Sequence, residues 1–200
     1  MAVLAAAVLL AALAPIGIAH GEAPAFAPES VVRFNLDCAH CHEGQCSGRL
    51  SLALGEEATF GHIRRYVPDL ADREAMELAR ILAYMKRHCA YAPLPRAPAL
   101  PLDETALAAY RDAKGGNLFL SLGRLDSGRY RLSLELAAPA AFRIELIDEH
   151  FEHLLDRCVE TDSVAEPIEV EATGTVFLRL RGPKGVALRS LGLDPADLAE

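Results

Sequence analysis

The stretch Tyr130-Arg131-Leu132-Ser133-Leu134-Glu135-Leu136 alternates polar and apolar side chains along its whole length. A period of two is typical of a strand with one buried face, because successive side chains in a strand point to opposite sides of the sheet. Residues 142–146 and 176–181 repeat the pattern. Turn residues separate the alternating runs, and they fall at 126–128, 138–139, 173–174 and 182–185. We therefore predict an antiparallel β-sandwich over residues 117–192.

A proline-rich segment precedes these strands and marks a change of pattern. Prolines 93, 95, 98 and 101 favour an extended spacer, so residues 92–116 are predicted to be a linker between domains. Upstream of the linker, apolar residues recur at intervals of three and four, which predicts one amphipathic helix over residues 72–89. The helical part of the chain is predicted to occupy residues 22–91.

The most specific motif of the helical part is Cys38-Ala39-His40-Cys41-His42. Cys-x-x-Cys-His is the spacing of covalent haem attachment, because two cysteines one helical turn apart can both reach the vinyl groups of one porphyrin. The histidine that follows can then take one axial position on the iron. The sequence predicts one covalent haem c on Cys38 and Cys41, with His42 as the proximal ligand.

The N-terminal residues indicate export. Residues 2–14 form an unbroken run of Ala, Val and Leu, and small residues follow near position 20. This pattern predicts a signal peptide over residues 1–21, and the alternative is an uncleaved N-terminal membrane anchor. Both alternatives deliver the rest of the chain to the periplasm or to another compartment outside the cytoplasm, where haem is joined to such motifs.

The charge of the chain bears on its partners. The formal net charge is −8, and residues 1–21 carry no charged side chain, so the exported part is acidic. Nucleic acid is therefore not an expected partner. A redox protein is the expected partner, and a membrane is expected only if the N-terminal segment remains uncleaved.

Two further features of the helical part point to a family. Phe34 stands four residues before Cys38, and residues 82–86 read Leu-Ala-Tyr-Met-Lys. In these features residues 29–91 resemble class I c-type cytochromes, and the resemblance implies a minimal all-α mono-haem domain. The sequence departs from that family at Ser30, where a glycine is usual, and at Val67-Pro68, where the family has the Met-Pro pair that supplies the second axial ligand.

Without that methionine, the second axial ligand must come from elsewhere. His62 is the candidate, because residues 59–68 occupy the connection that should cover the distal face of the haem. The alternative is a solvent-exposed His62 and an open sixth position. Met76 and Met85 belong to the apolar stripe of the predicted helix and are assigned to the core.

Five cysteines leave three beyond the predicted haem pair. A disulfide between Cys46 and Cys89 would join the two ends of a small helical domain, and Cys158 would then be unpaired. An alternative chemistry uses Cys38, Cys41 and Cys46 with His40 or His42 as a tetrahedral zinc site.

The C-terminal part carries no catalytic constellation. Its strands and its turn at residues 126–128 give residues 117–192 a weaker resemblance to bacterial pre-peptidase C-terminal β-sandwich domains, and this implies a non-catalytic module for docking or stability. The predicted fold class is thus α + β with two domains, an all-α cytochrome c domain followed by an antiparallel β-sandwich.

The predicted function is one-electron transfer by an exported mono-haem c-type cytochrome. It is not predicted to be an enzyme by itself, although it could serve as the electron-transfer subunit of an oxidoreductase complex. The two alternatives are a haem-based ligand-binding or sensor protein with an open sixth site and a zinc-stabilised interaction module.

Overall fold

The computed structural model describes residues 25–43, 56–98, 104–112, 116–184 and 187–196. The predicted leader at residues 1–21 lies outside these ranges. None of the helices in the described part of the chain is long and apolar enough to cross a membrane. The helices are α1 (Pro28–Asp37), α2 (Ala39–His42), α3 (Glu56–Tyr66), α4 (Asp72–His88) and α5 (Glu104–Ala108), and the strands are β1 (Asn117–Leu125), β2 (Gly128–Asp148), β3 (His153–Val170), β4 (Gly174–Arg181) and β5 (Leu188–Pro195).

The strands form one antiparallel sheet in the order β1-β4-β2-β3. The long strand β2 pairs with β3 along one edge. On its other edge, β2 pairs first with β5, over residues 130–136, and then with β4, over residues 143–148. Because two strands share this edge of β2 in succession, the sheet curls into a half-barrel.

The predicted β-sandwich is therefore wrong, since a single curled sheet replaces two facing sheets. The predicted turn at Ala138-Pro139 lies inside β2, where the pairing with β3 is interrupted between Glu135 and Ala140. Proline has no N–H to donate to a ladder and is tolerated at such an irregularity. The segment read as a turn thus lies within a continuous strand, while the strands predicted at 130–136, 142–146 and 176–181 are confirmed.

Both faces of the sheet are covered where β1, β4 and β2 run side by side. One face contributes Leu120, Ile144 and Leu178 to a core that draws residues from all five strands and therefore lies inside the curl. The intervening residues Phe119 and Phe177 belong to a second core, which they share with the helices. The sheet is thus the middle layer, with its own core on the inner face and the helices on the outer face.

The predicted all-α cytochrome c domain is also wrong. Among the described residues more lie in strands than in helices, and these residues show no clear all-α domain. The core beneath the helices includes Val31, Leu78 and Ile81 from α1 and α4, but also Phe177 from the sheet. A helical segment this short buries too little apolar surface by itself, and the outer face of the sheet supplies the rest. The helices form a layer on the sheet.

The helix predicted over residues 72–89 is confirmed as α4. Its buried face carries Ala75, Leu78, Ile81 and Met85, at the three- and four-residue spacing that an amphipathic helix requires. An ion pair between Arg64 and Asp72 links the end of α3 to the start of α4.

The proline-rich segment lies extended against the sheet. The backbone N–H of Tyr91 donates to the carbonyl of Glu149 at 2.9 Å, and that of Ala97 donates to the carbonyl of Ser121 at 2.9 Å. Further along, Leu107 in α5 is fully buried in the inner core. The described residues of the predicted linker, 92–98 and 104–112, therefore contribute to the packing. The division of the chain into two domains stays a prediction.

Candidate functional site

An apolar cavity of about 300 Å³ lies within the helical layer. Its walls come from the end of α1, from α2, from the inner side of α3 and from the middle of α4. The lining residues are Phe34, Asp37, Cys38, Cys41, His42, Thr59, His62, Ile63, Tyr66, Val67, Leu78 and Leu82. All four residues that the sequence analysis assigned to haem attachment and ligation therefore lie on one cavity.

The local backbone explains how both cysteines reach this cavity. Cys38 follows the last residue of α1, and its N–H still donates to the carbonyl of Phe34 at 2.8 Å. The chain then begins the single turn of α2, where the N–H of Cys41 donates to the carbonyl of Cys38 at 3.1 Å. Residues three apart on a helical turn share one side, and both cysteines line the cavity together with His42.

The rings of His42 and His62 lie close together in the lining of the cavity. Their ring centres are 5.8 Å apart, and their ring planes are inclined at 81°. His42 is half-buried and His62 is exposed. The ring of Tyr66, one turn further along α3 and 72% exposed, lies 4.8 Å from that of His62. The cavity lining thus brings two imidazoles close together, with an exposed aromatic side chain beside the second.

One polar atom of the site has no protein partner. The Nδ1 atom of His42 is buried and makes no hydrogen bond, and within the described ranges only the Oδ1 atom of Asn35 shares this condition. Buried polar groups in folded proteins are nearly always hydrogen-bonded, so such an atom calls for an explanation. The ring of His42 is therefore not held in orientation by a hydrogen bond at Nδ1.

The thiol of Cys38 is in an environment that suppresses its ionisation. Burial, reinforced by the negative charge of Asp37, raises the pKa of Cys38 to about 11. Cysteines that act as thiol-redox nucleophiles have lowered pKa values, because the thiolate is the reactive form. This environment argues against a thiol-redox role for the Cys-x-x-Cys pair.

A buried ion network lies directly beside the cavity and was not found by sequence reasoning. The guanidinium of Arg179 donates to both carboxylate oxygens of Glu145, at 2.8 and 2.9 Å, and to both oxygens of Glu43, at 2.8 and 3.1 Å. The phenol of Tyr91 also donates to Glu43. Arg179 and Glu145 are each only 1% exposed. The residue next to His42 is thereby bonded to the sheet.

The charge states of this network follow from burial and pairing. Burial alone would raise the pKa of Glu145, but its hydrogen bonds with Arg179 outweigh that effect and lower it. Burial likewise opposes the charge of Arg179, and its hydrogen bonds to Glu145 and Glu43 raise its pKa instead. Burial and the negative charge of Glu43 raise the pKa of Tyr91, so its phenol stays protonated. The lowered pKa of Glu145 and the raised pKa of Arg179 keep this pair ionised at neutral pH.

The sequence did contain a signal for the network. Phe177, Arg179 and Arg181 occupy one face of β4, and the alternation made that face look solvent-exposed. A large aromatic residue on the same face as a charged residue indicates that something covers both. That the helices cover this face of β4 could be recognised only from the structure.

The other predicted residues are less well defined. Cys46 lies outside the described residues, so its disulfide with Cys89 and its part in a zinc site both stay predictions. Cys89 ends α4 in the left-handed backbone conformation, and its carbonyl lies 3.2 Å from the Nδ1 atom of His150. Cys158 is exposed on β3.

One cluster in the described part of the chain has the composition of a metal site. It consists of Glu145, His153 and Asp156, whose ligand atoms lie within 4.8 Å of one another. Glu145 is already bonded to Arg179, and Asp156 accepts two hydrogen bonds of 2.7 Å from Arg143. The carboxylates are therefore neutralised by arginines, and the cluster has none of the residues of the cavity.

Comparison with known proteins does not assign the chain to a family. No model of a known protein family matches it, and no curated protein matches it significantly. What the chain can do must therefore be argued from the cavity itself.

Proposed function

We propose that this chain carries one covalently attached haem and transfers single electrons. Cys38 and Cys41 would be the thioether tethers, His42 the proximal iron ligand and His62 the distal ligand. The observation that carries the proposal is the convergence of two histidines, with ring centres 5.8 Å apart, and both cysteines of the motif on one apolar cavity.

The spacing of the imidazoles fits a metal ion between them. A metal–nitrogen bond of about 2.0 Å on each side, with the ring centres about 1 Å further out, gives about 6 Å between ring centres. The observed distance is 5.8 Å.

The remaining walls fit a porphyrin in their chemistry. Phe34, Ile63, Leu78 and Leu82 offer apolar contacts to a flat hydrophobic ring. When bound, haem supplies the iron couple that accepts and releases one electron. The protein supplies attachment through two cysteines, ligation through two histidines, and a wall that keeps water from much of the ring. Exposure of His62 and Tyr66 leaves the distal rim accessible to a redox partner.

The compartment and the partner follow from this proposal. Covalent haem attachment to such motifs takes place outside the cytoplasm, so the proposal includes export to the periplasm or an equivalent compartment. A redox protein would deliver or remove the electron at the exposed rim.

The test is expression with the haem-attachment machinery, followed by visible spectra of the oxidised and reduced protein. We expect a Soret band that survives acid-acetone extraction in the wild type and is lost after Cys38→Ala combined with Cys41→Ala. We expect a low-spin spectrum that becomes high-spin after His62→Ala. His88→Ala is the matched control, because His88 is an exposed histidine of the same helical layer that does not line the cavity.

Two results would replace the proposal. A wild-type spectrum that is already high-spin and insensitive to His62→Ala would favour a haem-based sensor with an open sixth site. A purified protein without haem that contains zinc would favour an interaction module.

A further inference from the structure

Glu43, the residue that follows His42, is bonded to a residue of the sheet. Glu43 ends α2, and both of its carboxylate oxygens accept hydrogen bonds from the guanidinium of Arg179, at 2.8 and 3.1 Å. One of these oxygens also accepts a bond from the phenol of Tyr91. A bidentate pair between arginine and carboxylate fixes orientation as well as distance. Glu43 therefore cannot turn or slide without breaking bonds to two other residues.

Arg179 is itself immobile. It lies on β4, a strand with paired neighbours on both sides, and is 1% exposed. Its remaining donors bind Glu145, the residue directly opposite it on β2, at 2.8 and 2.9 Å. The guanidinium is thus clamped between two carboxylates, one from the sheet and one from the motif. The sheet supplies a fixed point beside the proximal histidine.

His42 lacks the usual means of fixing a ligating imidazole. A histidine that binds a metal normally donates a hydrogen bond from its other ring nitrogen to a carbonyl or a carboxylate, and this bond sets the ring orientation. The Nδ1 atom of His42 is buried and has no such partner. Orientation must then come from the backbone next to His42, where Glu43 is bonded to Arg179 and Tyr91.

We infer that Arg179 is a positioning residue for His42, acting through Glu43. This inference rests on the proposed function, since it concerns the imidazole that would bind the iron. The ion pair fixes the end of α2 on the sheet and thereby fixes the plane of the proximal imidazole. The strand layer thus serves the haem site directly.

The test uses Glu43→Ala, which removes the link and leaves the pair of Arg179 and Glu145 in place. Glu166→Ala is the matched control, because it breaks another glutamate–arginine pair, with Arg157, on the sheet alone. In the haem-loaded ferric protein we expect Glu43→Ala to shift and broaden the low-spin electron paramagnetic resonance signal, which reports ligand orientation. Glu43→Gln, which keeps an acceptor for Arg179, should restore much of the wild-type signal.

A second measurement separates this inference from the proposed function. In the protein without haem, Glu43→Ala should increase amide hydrogen exchange in residues 39–43, and Glu166→Ala should not. If the wild type takes up no haem, the proposed function fails while the exchange result still reports the restraint. An unchanged resonance signal in Glu43→Ala overturns the inference even if exchange increases, and unchanged exchange overturns it as well. Arg179→Lys repeats the test from the sheet side, since an ammonium cannot form both bidentate pairs.

Discussion

Replacing Arg179 by methionine tests the energetic weight of the buried ion network. The substitution keeps the apolar stem of the side chain but removes four hydrogen bonds of 2.8 to 3.1 Å. Removing one partner of a buried ion pair typically costs about 3–5 kcal/mol, because the other charge stays buried without compensation.

The structure places the expected loss at the lower end of that range. Glu145 would retain Arg181, at 3.3 Å, and Arg143, at 3.5 Å, while Glu43 would retain its bond from Tyr91. We therefore expect Arg179→Met to reduce the free energy of unfolding by about 3 kcal/mol. For a denaturant slope of about 2 kcal/mol/M, the midpoint in urea falls by about 1.5 M.

The assay is urea denaturation followed by circular dichroism, with Arg157→Met as the control. Arg157 also pairs with a glutamate on the sheet, but its side chain is 53% exposed, so the control should lose less than about 1 kcal/mol. Adding Glu145→Gln to Arg179→Met should recover part of the loss, since the stranded carboxylate is then gone. An equal loss in the free energy of unfolding for Arg179→Met and Arg157→Met would contradict the expected contribution of the buried ion network.

Three other predictions concern pH, packing and backbone conformation. The bidentate hydrogen bonds from Arg143 lower the pKa of Asp156 below its ordinary value of 3.8. The stability that this pair contributes is therefore fully present above that pH and is lost as the pH falls through the lower pKa of the folded state. Asp156→Asn should therefore lose less stability than the wild type in an acid titration. Phe177→Ala removes a buried aromatic ring from the contact between the sheet and the helices. It should reduce the free energy of unfolding, measured by urea denaturation, by about 3–5 kcal/mol. A reduction of less than about 1 kcal/mol would mean that the helices do not pack on Phe177. The pairing of β1 with β4 shifts register between Ser121 and Gly123. Gly123 has φ +88°, and a Cβ there would approach the Arg96 side chain to 2.7 Å. Gly123→Ala should therefore lower the melting temperature, and an unchanged melting temperature would contradict this backbone conformation.

Local patterns predicted the individual elements of this fold. The three- and four-residue spacing gave α4, and the two-residue alternation gave the strand runs at 130–136, 142–146 and 176–181. Each of these patterns depends only on which side of one element is buried. Such information is present within a few neighbouring residues.

The arrangement of the elements could not be read in the same way. The pair Ala138-Pro139 is compatible with a turn between two strands and with an irregularity inside one strand. In the structure it is an irregularity inside β2, and the strands therefore form one sheet and not two. The face of β4 that carries Phe177 and Arg179 has the same alternation whether it meets water or helices. The turn at residues 138–139 and the covering of β4 both depend on contacts between segments that are distant in the chain. A local sequence pattern does not contain that information.

Some residues of the candidate site could likewise be predicted from local sequence patterns, and others could not. Cys38, Cys41 and His42 could be selected from their spacing, and His62 from its place in the connection after the motif, and all four line one cavity. Arg179 could not be selected, because it is more than a hundred residues from Glu43 in the chain and becomes a partner only when β4 lies beneath α2.

Covalent haem attachment is tested most simply by the visible spectrum of the purified protein, oxidised and reduced, before and after acid-acetone extraction. Covalent haem held between His42 and His62 predicts a Soret band that remains with the protein and low-spin bands in both oxidation states. A protein that shows no Soret band when the haem-attachment machinery is supplied would contradict the account.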